Sequence, residues 1–198
     1  FFDGFSVPRL VPPRQDGTHV GNLPFDFVDK ALAECASVGE VEALARRHRI
    51  RLYSAMWMFG DRNGESIIIE GEPIVRGDGR FQVCTNFRQS APEGCGPACR
   101  RYRTATAMLS RLGTPTVGAC RDLLRAVSGR NTQYSYVLDL NARRIHYFHF
   151  QDFSRELVFD LDAELAKGRH SLDTVPLFPP KLAARMSASG QAFIFISL

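Results

Sequence analysis

Two turn signals divide the segment from Tyr53 to Phe87 into short apolar runs, and they constrain the fold more than any other feature of the chain. The tetrapeptide DRNG at 61–64 is typical of a β-hairpin, because Asn-Gly accepts the positive φ angles of tight turns. Asp78-Gly79 predicts a second turn, just before a strand over 81–87. Since strands joined by such short turns pair antiparallel, the segment predicts a β-meander.

Helical and strand patterns on both sides of this meander indicate the fold class. Helices are predicted at 27–36, from the Ser37/Glu40 capping box to about His48, and at about 97–112 and 115–128. Strands are predicted at 1–7, in a second meander over 134–160 and in the C-terminal AFIFIS, with a short helical turn at 162–167. This order predicts an α+β fold, most simply two stacked antiparallel sheets with outer helices, in a single domain of residues 1–198.

Charge and cysteine usage argue against several function classes. The formal net charge is +4, but the basic clusters at 46–51 and 100–103 fall on predicted helices or at their ends, which favours solvated faces over nucleic-acid binding. No apolar run approaches the roughly 20 residues that cross a bilayer. Cys95 and Cys99 form a C-x₃-C pair, but no second Cys or His pair follows at zinc-ligand spacing, so we expect no metal. No cofactor is expected either.

The strand predicted over RFQVCTNF carries the first candidate site residues, Cys84 and Asn86. Strict alternation would place both side chains on one face, opposite Val83 and Thr85. Asparagine is a poor strand former, so Asn86 needs a reason to be there. It either caps the strand end or directs its amide N–H at a developing oxyanion.

Arg101 is the second candidate, because it shares a helical register with Ala105, Met108 and Leu112. An arginine on or beside an apolar stripe needs a carboxylate, carbonyl groups or a ligand anion as its partner. The alternative is that its guanidinium extends to the rim and stays in water.

Six segments in order resemble one family of enzymes. They are FFDGFSVP (1–8), GDRNGESIIIEGE (60–72), FQVCTNF (81–87), RRYRTATAML (100–109), TQYSYVLDL (132–140) and FDLDAELAKGRHS (159–171). Together they resemble the N-terminal nucleophile hydrolases of the choloylglycine hydrolase and penicillin V acylase group. The likeness is greatest to the branch with acyl-CoA:6-aminopenicillanic acid acyltransferase-like proteins. The resemblance implies a four-layer αββα sandwich.

The resemblance also implies an activity, hydrolysis of a linear amide C–N bond in a small N-acyl substrate. In such enzymes an N-terminal cysteine attacks the amide carbonyl, and its own α-amine serves as the base. Thr85-Asn86 matches the family's T-N pair, which makes Asn86 the expected oxyanion donor. Arg101 matches the later arginine that orders the site, with Arg100 as the alternative register. Ser6 falls where bile-salt hydrolases place another asparagine, so its backbone N–H is a further, weaker candidate.

The chain departs from the family pattern at its start, which is Phe1 and not cysteine. We therefore expect the nucleophile upstream of Phe1, the chain to be the C-terminal major part of such a domain, and this part alone to be inactive. Cys84 is expected to be a small buried neighbour of Asn86 and not the nucleophile. A catalytically inactive relative that binds a small molecule or a partner is the alternative. The substrate class, acyl transfer in place of hydrolysis, and a homo-oligomer all stay open.

Overall fold

The computed structural model describes residues 2–6, 24–48, 50, 55–91, 99–130, 132–178 and 193–196. The helices in these ranges are α1 Pro24–Glu34, α2 Val38–Arg47, α3 Arg100–Arg111, α4 Val117–Val127 and α5 Leu161–Ala166. The strands are β1 Phe2–Ser6, β2 Ala55–Gly60, β3 Ser66–Ile69, β4 Ile74–Arg76, β5 Phe81–Cys84, β6 Tyr134–Asp139, β7 Arg144–His149, β8 Leu157–Asp160 and β9 Phe193–Ile196.

The sheets confirm an α+β fold built from antiparallel strands. Their strand orders are β1-β2-β3-β4, β5-β9 and β6-β7-β8, and every pairing is antiparallel. The chain groups into two compact units, residues 1–103 with 193–197, and residues 104–192 with 198. The expected single domain stays a prediction.

In the first unit, helices α1 and α2 pack on β2 and β3. The Phe27 ring stacks on Trp57 with centroids 5.4 Å apart and meets Phe59 edge-on at 6.3 Å. Ile67 and Ile69 of β3 belong to the same core cluster. Met56, Met58 and Ile68, which alternate with these residues, are also buried. Both faces of the β2–β3 hairpin are therefore covered.

The start of α2 confirms the predicted capping box. The Ser37 hydroxyl accepts from the Glu40 backbone N–H, and the Glu40 carboxylate accepts from the Ser37 backbone N–H. The predicted DRNG hairpin joins β2 to β3, and Gly64 is its residue with positive φ, at 82°. Asn63 does not have a positive φ, so Gly64 is the residue of the Asn-Gly pair that adopts this conformation.

The predicted strand over 81–87 was too long, and its pairing differs from the prediction. β5 ends at Cys84 and pairs with β9, so it does not continue the meander of β2, β3 and β4. Val83, Cys84 and Thr85 are buried in succession, which shows that both faces of this segment are covered. Cys84 is 0% exposed whereas Asn86 lies exposed in the following loop, so the common face predicted for them was wrong.

The second unit contains the predicted second meander, β6-β7-β8. Helix α4 begins after Thr116, whose hydroxyl accepts from the Ala119 backbone N–H at 3.1 Å. His149 of β7 is buried and stacks on Phe178 with ring centroids 4.6 Å apart. His146 lies on the opposite face of β7 and pairs with Glu156, so the two histidines do not converge on one site.

Candidate functional site

The structure brings the two main candidate residues into contact. Arg101 Nη2 donates to Asn86 Oδ1 at 2.6 Å. A guanidinium has donors and no acceptor, so the amide oxygen must be the atom that faces it. The Asn86 NH₂ group is consequently directed away from the arginine. Because Asn86 is exposed, these donors are accessible to a ligand.

Two buried residues hold the backbone on either side of Asn86. Thr85 is 2% exposed, and its hydroxyl lies 3.6 Å from the Cys99 thiol. Phe87 is 9% exposed and packs edge-on against Tyr102, with ring centroids 5.0 Å apart. The loop after β5 is therefore attached to the start of α3 at the residue before Asn86 and at the residue after it.

The first turn of α3 sets the direction of Arg101. Ala105 and Leu109 are the buried positions of this helix, whereas Met108 is 37% exposed. The predicted stripe through Ala105, Met108 and Leu112 was therefore misplaced at Met108. Arg101 is half-buried, and its guanidinium reaches Asn86 in the loop. Arg100, the alternative register, is exposed.

Cys99 is a further candidate thiol that the sequence interpretation did not single out. Burial raises the pKa of its thiol, but hydrogen bonds from the Tyr102 backbone and the Thr85 hydroxyl, with the charge of Arg101, outweigh burial and lower that pKa. Cysteines at helix N-termini beside a cation commonly have this character. The available signal was the position of Cys99 directly before the RRY segment.

The other two candidate residues are Cys84 and Ser6, which lie in different sheets. Cys84 at the end of β5 is completely buried, so a substrate carbonyl has no access to its sulfur. Ser6 ends β1, opposite Ala55, in a different sheet from β5. The structure describes the backbone of Ser6 but not its side chain.

The described residues include no cluster of His, Cys, Asp or Glu side chains that would hold a metal ion. None of the helices in these ranges is long and apolar enough to cross a membrane. Comparison of the chain with protein-family models, with curated proteins and with solved structures gave no match.

Proposed function

We propose that this chain belongs to a hydrolase of linear amide C–N bonds that acts on small N-acyl substrates, with Asn86 as a donor of its oxyanion hole. The hydrogen bond from Arg101 to Asn86 carries the proposal. It fixes the amide so that its NH₂ group is presented to a ligand, which is the orientation that an oxyanion donor needs. An unrestrained asparagine would present its oxygen and its nitrogen alike.

Arg101 acts in this proposal through Asn86. Its positive charge at the amide oxygen polarises the whole group, and a polarised amide N–H is a stronger donor. The guanidinium also keeps the amide from rotating as negative charge develops on the substrate oxygen. Such preorganised donors contribute to catalysis because they need no reorientation during the reaction.

The proposed reaction proceeds through an acyl-enzyme. The sulfur of an N-terminal cysteine attacks the substrate carbonyl, and the α-amine of the same cysteine takes up the thiol proton. The Asn86 N–H stabilises the resulting tetrahedral oxyanion. The C–N bond then breaks, the leaving amine receives the proton, and a thioester forms. Water attacks the thioester in the same hole, which releases the carboxylic acid and the free cysteine.

The layer arrangement proposed for the domain is an αββα sandwich. Two observations support it. Helices α1 and α2 cover one face of the β2–β3 hairpin, and the other face is buried as well, at Met56, Met58 and Ile68. Paired sheets with outer helices bury hairpins in this way.

The test is Asn86→Ala in the protein with its upstream sequence, assayed against a panel of N-acyl amides. We expect kcat to fall by about 10²- to 10³-fold with little change in KM, as for other single oxyanion donors. Asn63→Ala, a change at an exposed asparagine in the β2–β3 turn, is the matched control and should retain activity. An unchanged kcat for Asn86→Ala would refute the assignment. Tight binding of the amides without turnover would indicate the inactive relative instead.

A further inference from the structure

A charged side chain is completely buried beside the loop that carries Asn86. Glu70 follows β3 directly and is 0% exposed. Its Oε1 accepts from the Gln89 backbone N–H at 2.5 Å. Its Oε2 accepts from the Ser90 backbone N–H at 3.1 Å and from the Ser90 hydroxyl at 2.5 Å. One carboxylate thus receives three hydrogen bonds from two consecutive loop residues.

Burial of this carboxylate is costly unless its oxygens receive hydrogen bonds. Bonds to a carboxylate are roughly twice as strong as bonds between neutral groups, so three of them restrain the loop strongly. The Gln89 side chain adds a bond to the Val83 carbonyl of β5. Residues 89–90 are therefore tied to β3 by Glu70 and to β5 by Gln89.

Asn86 lies between two fixed points of the backbone. On its N-terminal side, Cys84 is held in β5 by pairing with Phe193 of β9. On its C-terminal side, Gln89 and Ser90 are held by Glu70. The loop residues between these points belong to no helix or strand. The positions of the loop ends therefore contribute to the placement of the Asn86 amide, together with the contacts of the loop with Cys99, Arg101 and Tyr102.

We propose that Glu70 is a positioning residue, which holds the loop Thr85–Ser90 so that Asn86 meets the developing oxyanion. This inference rests on the proposed function, since it assigns Glu70 a role in the same site. Glu70 does not touch the substrate. It acts through the backbone at residues 89–90, and its effect on the reaction passes through Asn86.

Glu70→Gln tests the proposal in the protein with its upstream sequence. The variant keeps the shape of the side chain, but an NH₂ group replaces one of the two carboxylate oxygens. This NH₂ group cannot accept a hydrogen bond from Gln89 or Ser90. We expect kcat to fall by about 10- to 100-fold, because small displacements of a reacting group have effects of this size. KM should change little. Glu65→Gln, at an exposed glutamate just before β3, is the matched control and should retain full activity.

A double substitution separates positioning from a general loss of structure. If Glu70 acts through Asn86, the double variant Glu70→Gln/Asn86→Ala should have a kcat within about twofold of that of Asn86→Ala alone. Independent, multiplicative losses would overturn the proposal. Ser90→Ala removes one of the three donors and leaves Glu70 in place. It should lower kcat by a smaller factor, and it serves as the test if Glu70→Gln does not fold.

Amide hydrogen exchange at Gln89 and Ser90 provides a readout that needs no substrate. Glu70→Gln should accelerate exchange at these two N–H groups and leave the core strand β3 protected. Unchanged exchange would overturn the proposal. If Asn86→Ala retains full kcat, the proposed function fails whatever Glu70 does. If Asn86→Ala is impaired while Glu70→Gln is fully active, only the positioning role fails.

Discussion

Arg101 on the first turn of α3 and Asn86 in the loop after β5 share a 2.6 Å hydrogen bond between Nη2 and Oδ1. The bond joins two segments that are also linked at Thr85–Cys99 and at Phe87–Tyr102. Three contacts in one small area make the helix start and the loop a single structural element. The orientation of the amide is consequently a property of α3 as much as of β5.

Substitution of Arg101 should impair catalysis by releasing the Asn86 amide. In Arg101→Ala the amide can turn its oxygen towards the substrate, so we expect kcat to fall by about tenfold or more with a smaller change in KM. Arg101→Lys should restore part of the loss, because an ammonium donates one bond but lacks the planar guanidinium. Arg103→Ala, at an exposed position of the same helix, is the control. Wild-type kcat in Arg101→Ala would show that the amide needs no such partner.

Cys99 should be alkylated before the buried cysteines. Its pKa is lowered from the usual value, whereas burial raises the pKa of Cys120 to about 11. At a pH near 8 a larger fraction of Cys99 than of Cys120 should therefore be thiolate, and the thiolate is the form that reacts with the alkylating reagent. Iodoacetamide labelling followed by peptide mass spectrometry should show Cys99 modified at least about tenfold faster than Cys120.

Thr85→Ala supplies the control for this thiol prediction. The Thr85 hydroxyl is one of the groups that lower the Cys99 pKa, so its removal should raise that pKa and slow labelling of Cys99. The rate for Cys120 should not change. Equal labelling rates for Cys99 and Cys120 in the unaltered protein would contradict the prediction.

Asp61 should be one of the most important polar residues for stability of the first unit. It is 8% exposed, and its Oδ2 accepts from the Val38 backbone N–H at 2.9 Å. Its Oδ1 accepts from the Asn63 and Glu65 backbone N–H groups at 2.8 and 3.2 Å. Asp61→Ala leaves these donors without an acceptor, so we expect a loss of about 2–3 kcal/mol in the free energy of unfolding.

Urea denaturation measures this loss, with Asp78→Ala as the matched control. Asp78 is an exposed aspartate in the turn before β5, and its substitution should change stability by less than about 0.5 kcal/mol. Equal effects of the two substitutions would contradict the role assigned to Asp61, which is to join the β2–β3 turn to the start of α2.

Glu42 should make the stability depend on pH. A hydrogen bond from Arg46, together with Arg76 of β4, lowers the Glu42 pKa below its usual value of 4.5. A lowered pKa in the folded state means that the stabilisation is present above pH 4.5 and is lost as the pH falls through the folded-state pKa. Glu42→Gln should therefore destabilise at pH 7 by about 0.5–1 kcal/mol, a value kept small because both arginines are largely exposed.

The difference between wild type and Glu42→Gln should shrink as the pH falls below 4.5. Thermal unfolding at several pH values measures it. Glu34→Gln removes an exposed ion pair between Glu34 and Lys30, both on α1. It should lower the stability at pH 7 by less than Glu42→Gln does. A difference that grows towards acid pH would contradict the assignment.

Local signals predicted the fold best. The Ser37/Glu40 capping box and the DRNG turn each need only neighbouring residues, and both are present. The second meander was also predicted, because its strands follow one another along the chain. The end of β5 at Cys84 was not predicted. Its predicted extent depended on alternating exposure, and this segment is buried on both faces.

The candidate site was predicted only where one segment contained the information. The sequence singled out Asn86 and Arg101, and the structure places them in contact. Glu70 ends the SIIIE run, where a charge usually indicates a solvent-exposed strand end. Its burial depends on Gln89 and Ser90, which lie 19 and 20 residues later in the chain. No pattern within the strand contains that information.

The pairing of β5 with β9 has a consequence for how the chain acquires its candidate site. Residues 81–84 obtain their strand partner from residues 193–196, which are synthesised last of all the described segments. Contacts between such distant residues form slowly, because a long loop must close before they do. We therefore expect the loop with Asn86 to order late, after the α1–α2 and β2–β3 core has already folded.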